Sequence, residues 1–509
     1  MPRATAAEAA RQRMARLGEA LEELRSWVGE RNRRRPGEDQ AGANELAWAA
    51  ARHEAAVACV EWAEATSDQL AMMIAQAVID EAEEVLRADA ATDRITAQER
   101  LAAITESYRP LEDLGASDEH RLLRSTCREF AQREIGPYAQ GIHRGDLDLP
   151  ESIIQGVAAL GLFGVSVPTE YGGSRGKDPD YEAMLIVTEE LSRASLAAGG
   201  SLITRPEILI GALLAGGTEE QKRTWLPVIA SGEKMVAVAV TEPDYGSDVA
   251  SVTCRADRTS DGWRVNGTKL WCTFAGRAEL LMLLCRTGEN GHRGLSLFVA
   301  EKPAFAGHSF EFVQPGGGIL RGRAIPTIGY RGMHSFELVF EDFLLPLSAL
   351  VGGDEWLNRG FYLQMGGFSV GRLQTAGRAV GVMDAALADS LEYATERRVF
   401  GRVIAHHQLP AVMLGRMATR LTAARQLSYR AARRLRHGAD QPEASLAKLY
   451  SSKMAESVTR DAMQVFGGMG YAEETNASRY FLDARVLTIF EGTEEVLALR
   501  VISRTLMDR

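Results

Sequence analysis

Every strand signal in this chain falls in one block, and helical sequence flanks that block on both sides. "KMVAVAVTEP" (234–243), "CRADRTSDGWRVNGTKLWCT" (254–273), "LSLFVAEK" (295–302) and "SFELVFEDFLLP" (335–346) alternate with period two or run continuously apolar. Asp261-Gly262 and Asn266-Gly267 are both dipeptides that favour hairpin turns. Before the block, spacings of three and four dominate, as in Leu70, Met73, Ile74, Ala77 and Val78. Helical periods return from Gly360 and persist to the end. Strands clustered in this way, rather than alternating with helices, exclude a doubly wound parallel sheet. The expected fold class is mainly α with a central β domain.

At 509 residues the chain exceeds one ordinary core. The sequence divides by texture into a helical N-terminal extension (1–110), an α domain (111–235), a central β domain (236–350) and a C-terminal helical bundle (351–509). In the extension, "RNRRRPGEDQ" (31–40) closes one helix at Pro36-Gly37 and opens a loop. Arg31, Arg33, Arg34 and Arg35 there read as a solvated face. The net charge of -10 argues against a nucleic-acid partner. No apolar run approaches the roughly 20 residues of a membrane span. Five cysteines, odd in number and without a CxxC pair, fit a reducing compartment, and the cytoplasm is expected.

Several chemistries are excluded by spacing. "GGGILRG" (316–322) and "FGGMGYAEE" (466–474) both fail the glycine patterns of nucleotide-binding loops. His53 opens an HExxH-like run that lacks its second histidine, and His406-His407 are adjacent, so no zinc spacing is present and no metal is expected. "GFSVG" (367–371) matches the serine-hydrolase elbow literally but sits in a helical stretch, and reads as chance.

Near the C-terminus, "LTIFEGTEEV" (487–496) places a carboxylate directly after an apolar run. Thr493 suits a helix N-cap, and Glu494 and Glu495 suit the positive end of the helix that follows. Glu491 therefore lies on a glycine-permitted bend before that helix. Two readings are open: a solvated turn acid, or a carboxylate held in a dry pocket.

Five separated segments resemble the acyl-CoA dehydrogenase family: "VAVTEPDYGSD" (238–248), "TKLWCT" (268–273), "ERRVFGR" (396–402), "QVFGGMGY" (464–471) and "IFEGTEE" (489–495). The resemblance spans residues 111 to 509 in the family's order. It implies a helical domain, a β-barrel-like domain and a C-terminal four-helix bundle, with FAD as cofactor. It further implies that Val240, Thr241, Ser247, Trp271 and Thr273 face the flavin, whose arriving charge backbone and hydroxyl donors stabilise. Arg397, with Phe400 beside it, matches the arginine that grips the FAD pyrophosphate of a neighbouring subunit, which makes a homo-oligomer (dimer or tetramer) the expectation. Gln464, Gly467, Gly468, Thr493 and Glu495 match further cofactor contacts. Glu491 falls on the family's catalytic base, next to Gly492 at the substrate. Burial is expected to raise its proton affinity. Gly371 stands where some members carry the base instead, so no second carboxylate competes.

The resemblance also bears on substrate. Ser247 and Arg372 match positions along the acyl-CoA channel. "SLITRPEILIGALLAGG" (201–217) lies where the family closes the acyl pocket, and Pro206 is expected at helix position N1 with Arg205 outside the helix. A guanidinium there suits a carboxylated acyl group, unless Arg205 pairs with Glu207 or another internal acid. With the N-terminal extension and "GRAIPTIGYRGMHSFEL" (322–338), the likeness is strongest to members that oxidise (2S)-methylsuccinyl-CoA to mesaconyl-CoA in the ethylmalonyl-CoA route. Such members pass electrons to an electron-transferring flavoprotein. Alternatives are a general short- or branched-chain dehydrogenase, an acyl-CoA oxidase and a non-catalytic flavin-binding scaffold. Asp244 and Tyr245 depart from the small residues usual in that loop.

Overall fold

The computed structural model describes residues 5–34, 39–86, 94–176, 178–436 and 442–508. The expected loop at Pro36-Gly37 lies outside the described residues. Two compact units emerge: Met1–Arg128, Ser192–Ala194 and Thr375–Arg509 form the first, and Glu129–Leu191 with Ser195–Gln374 the second.

The second unit carries the sheet. Its strands are β1 (Val236–Ala239), β2 (Arg255–Arg258), β3 (Gly262–Thr273), β4 (Leu280–Arg286), β5 (Leu295–Glu301), β6 (Ser309–Val313), β7 (Ile319–Ala324) and β8 (Ser335–Pro346). They pair in the order β1-β4-β2-β3-β8-β7-β6, with β5 also on β4. Strand β4 is buried at every position, which explains its unbroken apolar sequence. Helices Thr204–Gly216 and Glu219–Ala230 lay Ile208, Leu213 and Leu226 into a core shared with Val236, Met282, Leu284 and Leu297. The run Leu196–Gly216 has 21 residues, a mean hydropathy of 1.2 and 94% burial of its apolar window. It corrects the expectation that no apolar run is long enough to span a membrane, and its apolarity is spent inside the protein.

Of the two hairpin-type dipeptides, Asp261-Gly262 turns the chain from β2 into β3, with Arg258 opposite Trp263. Asn266-Gly267 does not turn. It forms a bulge inside β3, where the register against β8 shifts between Val265 and Gly267. Gly267 takes φ +139°, and an added Cβ would stand 2.7 Å from the Cys254 backbone. The Asn266 side chain exchanges hydrogen bonds with Asp342 across the bulge, which a free turn would not supply.

The first unit is helical and includes the N-terminal extension. Helix Gln40–Thr66 has alanine on nearly all sides and is buried along its length, including Leu46, Ala47, Ala50, Ala51, Ala55 and Ala58. Small side chains let it lie close to its neighbours in the unit. Helix Arg94–Ser107 packs on Gln408–Arg436. There the Leu101 carbonyl approaches so closely that a Cβ on Gly415 would stand 1.9 Å from its oxygen. Thr105 donates to the Ala411 carbonyl at 2.7 Å, and Arg430 pairs with Glu61 at 2.9 Å. Of the extension's arginines, Arg31 pairs with Asp39 at 2.9 Å. Ser369 of "GFSVG" lies within helix Gly360–Glu396 and donates to the Met365 carbonyl, so no nucleophile elbow exists.

The close approach at Gly415 makes a direct claim. We expect Gly415→Ala to destabilise the protein by about 1–3 kcal/mol, because the helices must part to admit one methyl. Urea denaturation checks this, and an unchanged midpoint refutes it.

Candidate active site

In the first unit the apolar run before Glu491 ends in a left-handed bend. Glu491 has φ +57° and Gly492 has φ +98°. Thr493 then caps the helix, its hydroxyl accepting from the Val496 N–H at 3.3 Å. The αL conformation costs a non-glycine residue about 1–2 kcal/mol, so something must hold Glu491 there. Its carboxylate is held from two sides. Arg378 Nη2 donates to Oε1 at 2.7 Å, and the Thr375 hydroxyl donates to Oε2. Arg378 also donates to Thr375 Oγ1 at 2.7 Å, and its guanidinium stands 4.5 Å from the Phe490 ring centroid. Lys448 donates to the Gly492 carbonyl at 2.6 Å and fixes the bend itself.

The Glu491 side chain is 7% exposed and that of Arg378 0%. The solvated-turn reading is thereby removed. The rise in proton affinity expected from burial meets an opposing charge here. A guanidinium in contact favours the ionised carboxylate and works against desolvation. Arg378, Thr375 and Lys448 were not singled out from sequence, although an arginine at position 378 inside an apolar helical stretch was a visible anomaly.

In the second unit, Val240 and Thr241 leave β1 alongside the end of β3. The Thr241 carbonyl accepts from the Leu270 N–H at 2.7 Å, and the buried Val240 offers its carbonyl to Lys269 Nζ at 3.0 Å. Lys269 is fully buried and pairs with Glu242 at 2.8 Å. Glu242 also accepts from the backbone of Thr253 at 2.7 Å and of Cys254 at 2.9 Å. Burial by itself would push the Glu242 carboxyl up. The Lys269 ammonium and these donors outweigh burial and hold the group below its ordinary range. This pair anchors the start of the loop that carries the exposed Ser247.

Trp271 is 51% exposed and takes φ +61°, a conformation unusual for a bulky side chain. Thr273 is buried, with its hydroxyl 2.9 Å from that of Ser335. An open indole on a strained strand end, beside fixed backbone and hydroxyl groups, suits a planar aromatic cofactor.

The other expected cofactor residues lie in the first unit. Arg397 is exposed beside a hairpin, Arg398–Val399 with Arg402–Val403, whose tip residue Phe400 is 97% exposed. Gln464, Gly467, Gly468 and Glu495 are also exposed. A Cβ added at Gly467 or Gly468 would meet no packed neighbour within 4 Å, although the φ of +60° at Gly467 itself favours glycine. Glu491, Gly492 and Thr493 share one bend.

In the second unit Arg372 is buried, which removes a surface ion pair as its explanation. Arg205 corrects one expectation. It lies inside helix Thr204–Gly216 rather than before it, with Pro206 as the third residue. In the first helical turn a proline removes no intrahelical hydrogen bond, so the helix begins upstream of it. Arg205 is buried and donates to Tyr330 Oη at 3.0 Å, while Tyr330 Oη donates to Ser201 Oγ at 2.6 Å. No described carboxylate lies within ion-pair reach of Arg205. Glu207 bonds Ser166 and feels Arg175, and complete burial pushes its carboxyl up to about 7.

That shift has a sign. The folded state keeps the Glu207 proton up to about pH 7, whereas an unfolded chain releases it near 4.5. Stability from this group is full below pH 4.5, falls as pH rises towards 7, and stays low above. We expect Glu207→Gln to raise the unfolding midpoint at pH 8 and to flatten its fall between pH 5 and pH 7. A variant that tracks the parent at every pH would show that Glu207 is ionised in the folded state.

The family models for the N-terminal, middle and C-terminal domains of acyl-CoA dehydrogenase match residues 117–233, 237–343 and 358–507. The chain belongs to the acyl-CoA dehydrogenase family. It is 39% identical over 418 residues to the (2S)-methylsuccinyl-CoA dehydrogenase of Cereibacter sphaeroides, covering 81% of this chain and 74% of that protein. The structure of butyryl-CoA dehydrogenase from Megasphaera elsdenii superposes with a TM-score of 0.71 at 27% identity, over 77% of this chain and 99% of that one. A chain solved in work on the electron transferring flavoprotein of Acidaminococcus fermentans gives 0.69 at 29% identity, over 77% and 97%. Like the family, this chain is an FAD-dependent oxidoreductase acting on acyl-CoA.

Proposed function

We propose that this acyl-CoA dehydrogenase oxidises a short carboxylated thioester, (2S)-methylsuccinyl-CoA to mesaconyl-CoA. The observation that carries the reading is Arg205: a buried guanidinium with a phenol and a hydroxyl behind it and no described carboxylate in reach. A buried cation of that kind asks for an anion, and a substrate carboxylate supplies one through paired N–H donors. The likeness to the Cereibacter sphaeroides enzyme supports the same substrate. An aliphatic acyl tail would leave the guanidinium uncompensated.

In the proposed mechanism Glu491 removes the α-proton of the thioester. Arg378 and Thr375 each bond one oxygen of its carboxylate, and the guanidinium favours the ionised form that a base requires. Gly492 keeps the bend free of a side chain, and Lys448 restrains its carbonyl. FAD, when bound, would supply the acceptor for the hydride that leaves Cβ as the double bond forms. Val240, Thr241, Ser247, Trp271 and Thr273 are the proposed flavin contacts in the second unit, with Gln464, Gly467, Gly468, Thr493 and Glu495 in the first. Arg372 is proposed to line the acyl-CoA path. Arg397 and Phe400, exposed together on a hairpin arm, are proposed to reach the cofactor of a second copy, which makes the working form a homo-oligomer. An electron-transferring flavoprotein is the proposed acceptor.

Turnover with methylsuccinyl-CoA and butyryl-CoA, using an artificial acceptor, tests the substrate. We expect a strong preference for the carboxylated thioester, and Arg205→Ala to cost it about 2–5 kcal/mol of transition-state binding while sparing butyryl-CoA. Equal losses on both, or a parent preference for butyryl-CoA, would establish a general short-chain enzyme.

The base is tested through its partner. Removing the guanidinium raises the proton affinity of Glu491, so Arg378→Met should move the acid limb of the kcat/KM profile to higher pH by about 1 unit or more. Glu491→Gln should abolish flavin bleaching by substrate while leaving flavin content intact. Bleaching that survives Glu491→Gln removes this residue from the chemistry.

A further inference from the structure

In the second unit, three chain segments distant in sequence bring two imidazoles and two carboxylates together, none of them given a role above, although His334 precedes Ser335, the partner of Thr273. Asp146 closes helix Gly136–Gly145, His308 precedes β6 and His334 precedes β8. One donor atom from each lies within 4.8 Å of the others. His334 Nε2 stands 3.2 Å from Asp146 Oδ1, and the two rings are 4.1 Å apart between centroids. On the opposite side, His334 Nδ1 stands 3.2 Å from Asp148 Oδ1. The other oxygen of Asp148 is held by the Gly307 N–H at 2.8 Å.

The geometry points to a binding site for a divalent transition metal of the Zn2+ class, held by Asp146, His308 and His334. Two ligands of one tetrahedral zinc, each about 2.0–2.1 Å from the ion, stand about 3.3 Å apart. The spacing of His334 Nε2 and Asp146 Oδ1 already matches that edge. Asp148 sits where metal-bound histidines present their second nitrogen: a carboxylate accepts that N–H, fixes the tautomer and turns the other nitrogen to the ion. His308 is half exposed and can turn to close the set. It also lines a hollow of about 500 Å3 with Arg321, Arg323 and Glu337, which leaves a route for solvent to a fourth position.

Two imidazoles select against Mg2+ and Ca2+, which prefer all-oxygen shells. The rival is a protonated His334 clamped between two carboxylates, with Arg331 Nε 3.4 Å from Asp146. That reading leaves His308 facing Asp148 Oδ1 at 3.9 Å and sets its ring against an imidazolium. Asp146 and His334 also hold φ of +50° and +36°, so both side chains are presented from backbone that L-residues rarely adopt. None of the three donors is near another in sequence, which is why no zinc spacing was legible. A bound ion would tie the end of helix Gly136–Gly145 to the starts of β6 and β8.

The test uses the FAD-loaded full chain, freed of metal by chelator, with Co2+ and Zn2+ alone as probes. We expect one Co2+ per chain with the intense visible bands of a tetrahedral ion, displaced by Zn2+. Zn2+ should raise the unfolding temperature of the parent. His308→Ala, an exposed position, should lose the bands and the stabilisation while keeping its flavin. Asp148→Asn should keep the stoichiometry but weaken affinity roughly 10–100-fold. Absence of saturable binding at one ion per chain overturns the proposal. So does binding that His308→Ala leaves unchanged, which would place the ion elsewhere.

Discussion

The buried pair between Arg378 and Glu491 is the interaction on which the bend at Glu491-Gly492 in the first unit depends. Taking both charges out of water costs several kcal/mol each, and the pair recovers this only through close geometry and complete hydrogen bonding. Thr375 bonds both partners at once, accepting from the guanidinium and donating to the carboxylate. Phe490 lays its ring against the cation. The strained backbone at Glu491 is therefore over-determined: a carbonyl tied to Lys448 after it, a helix cap beyond that, and a salt bridge on its side chain. Losing either charge would leave the other stranded in a dry site, which costs more than the pair itself contributes.

The second unit uses the same device for a different end. Lys269 and Glu242, buried together, set the loop that begins at Thr241 against β3, and the bulge at Asn266-Gly267 redirects that strand shortly before Trp271. Arg205 stands apart from this pattern. Its charge has one hydroxyl partner, Tyr330, and no described carboxylate, and that imbalance is the physical content of the substrate proposal. Glu207, two residues along the same helix, is compensated in the opposite way, by keeping its proton near neutral pH.

The N-terminal extension belongs energetically to the C-terminal helices. Its alanine-rich second helix is buried almost throughout, and the contact at Gly415 brings backbone against backbone. A helix with small residues on every face has no amphipathic stripe to announce a partner, so sequence showed a helical module and nothing of what it covers. The Asn266-Gly267 dipeptide misled for a related reason. Both turns and bulges want glycine at positive φ, and only the pairing of β3 with β8 distinguishes them. Pro206 misled because a proline is tolerated anywhere in a first helical turn.

The amino-acid order alone determined the block of strands between helical stretches, the capped helix after Thr493 and the bend at Glu491-Gly492, and the family motifs carried the expected cofactor. Those features arise from backbone preferences and periodicities that act within a few residues. Tertiary structure decided what each charge meets: Arg378 for Glu491, Tyr330 for Arg205, Lys269 for Glu242, and a ring of imidazoles and carboxylates around His334. Most of those partners are separated by tens of residues or more. Their pairing is a property of packing, because only a folded interior makes an unpartnered charge too costly to keep.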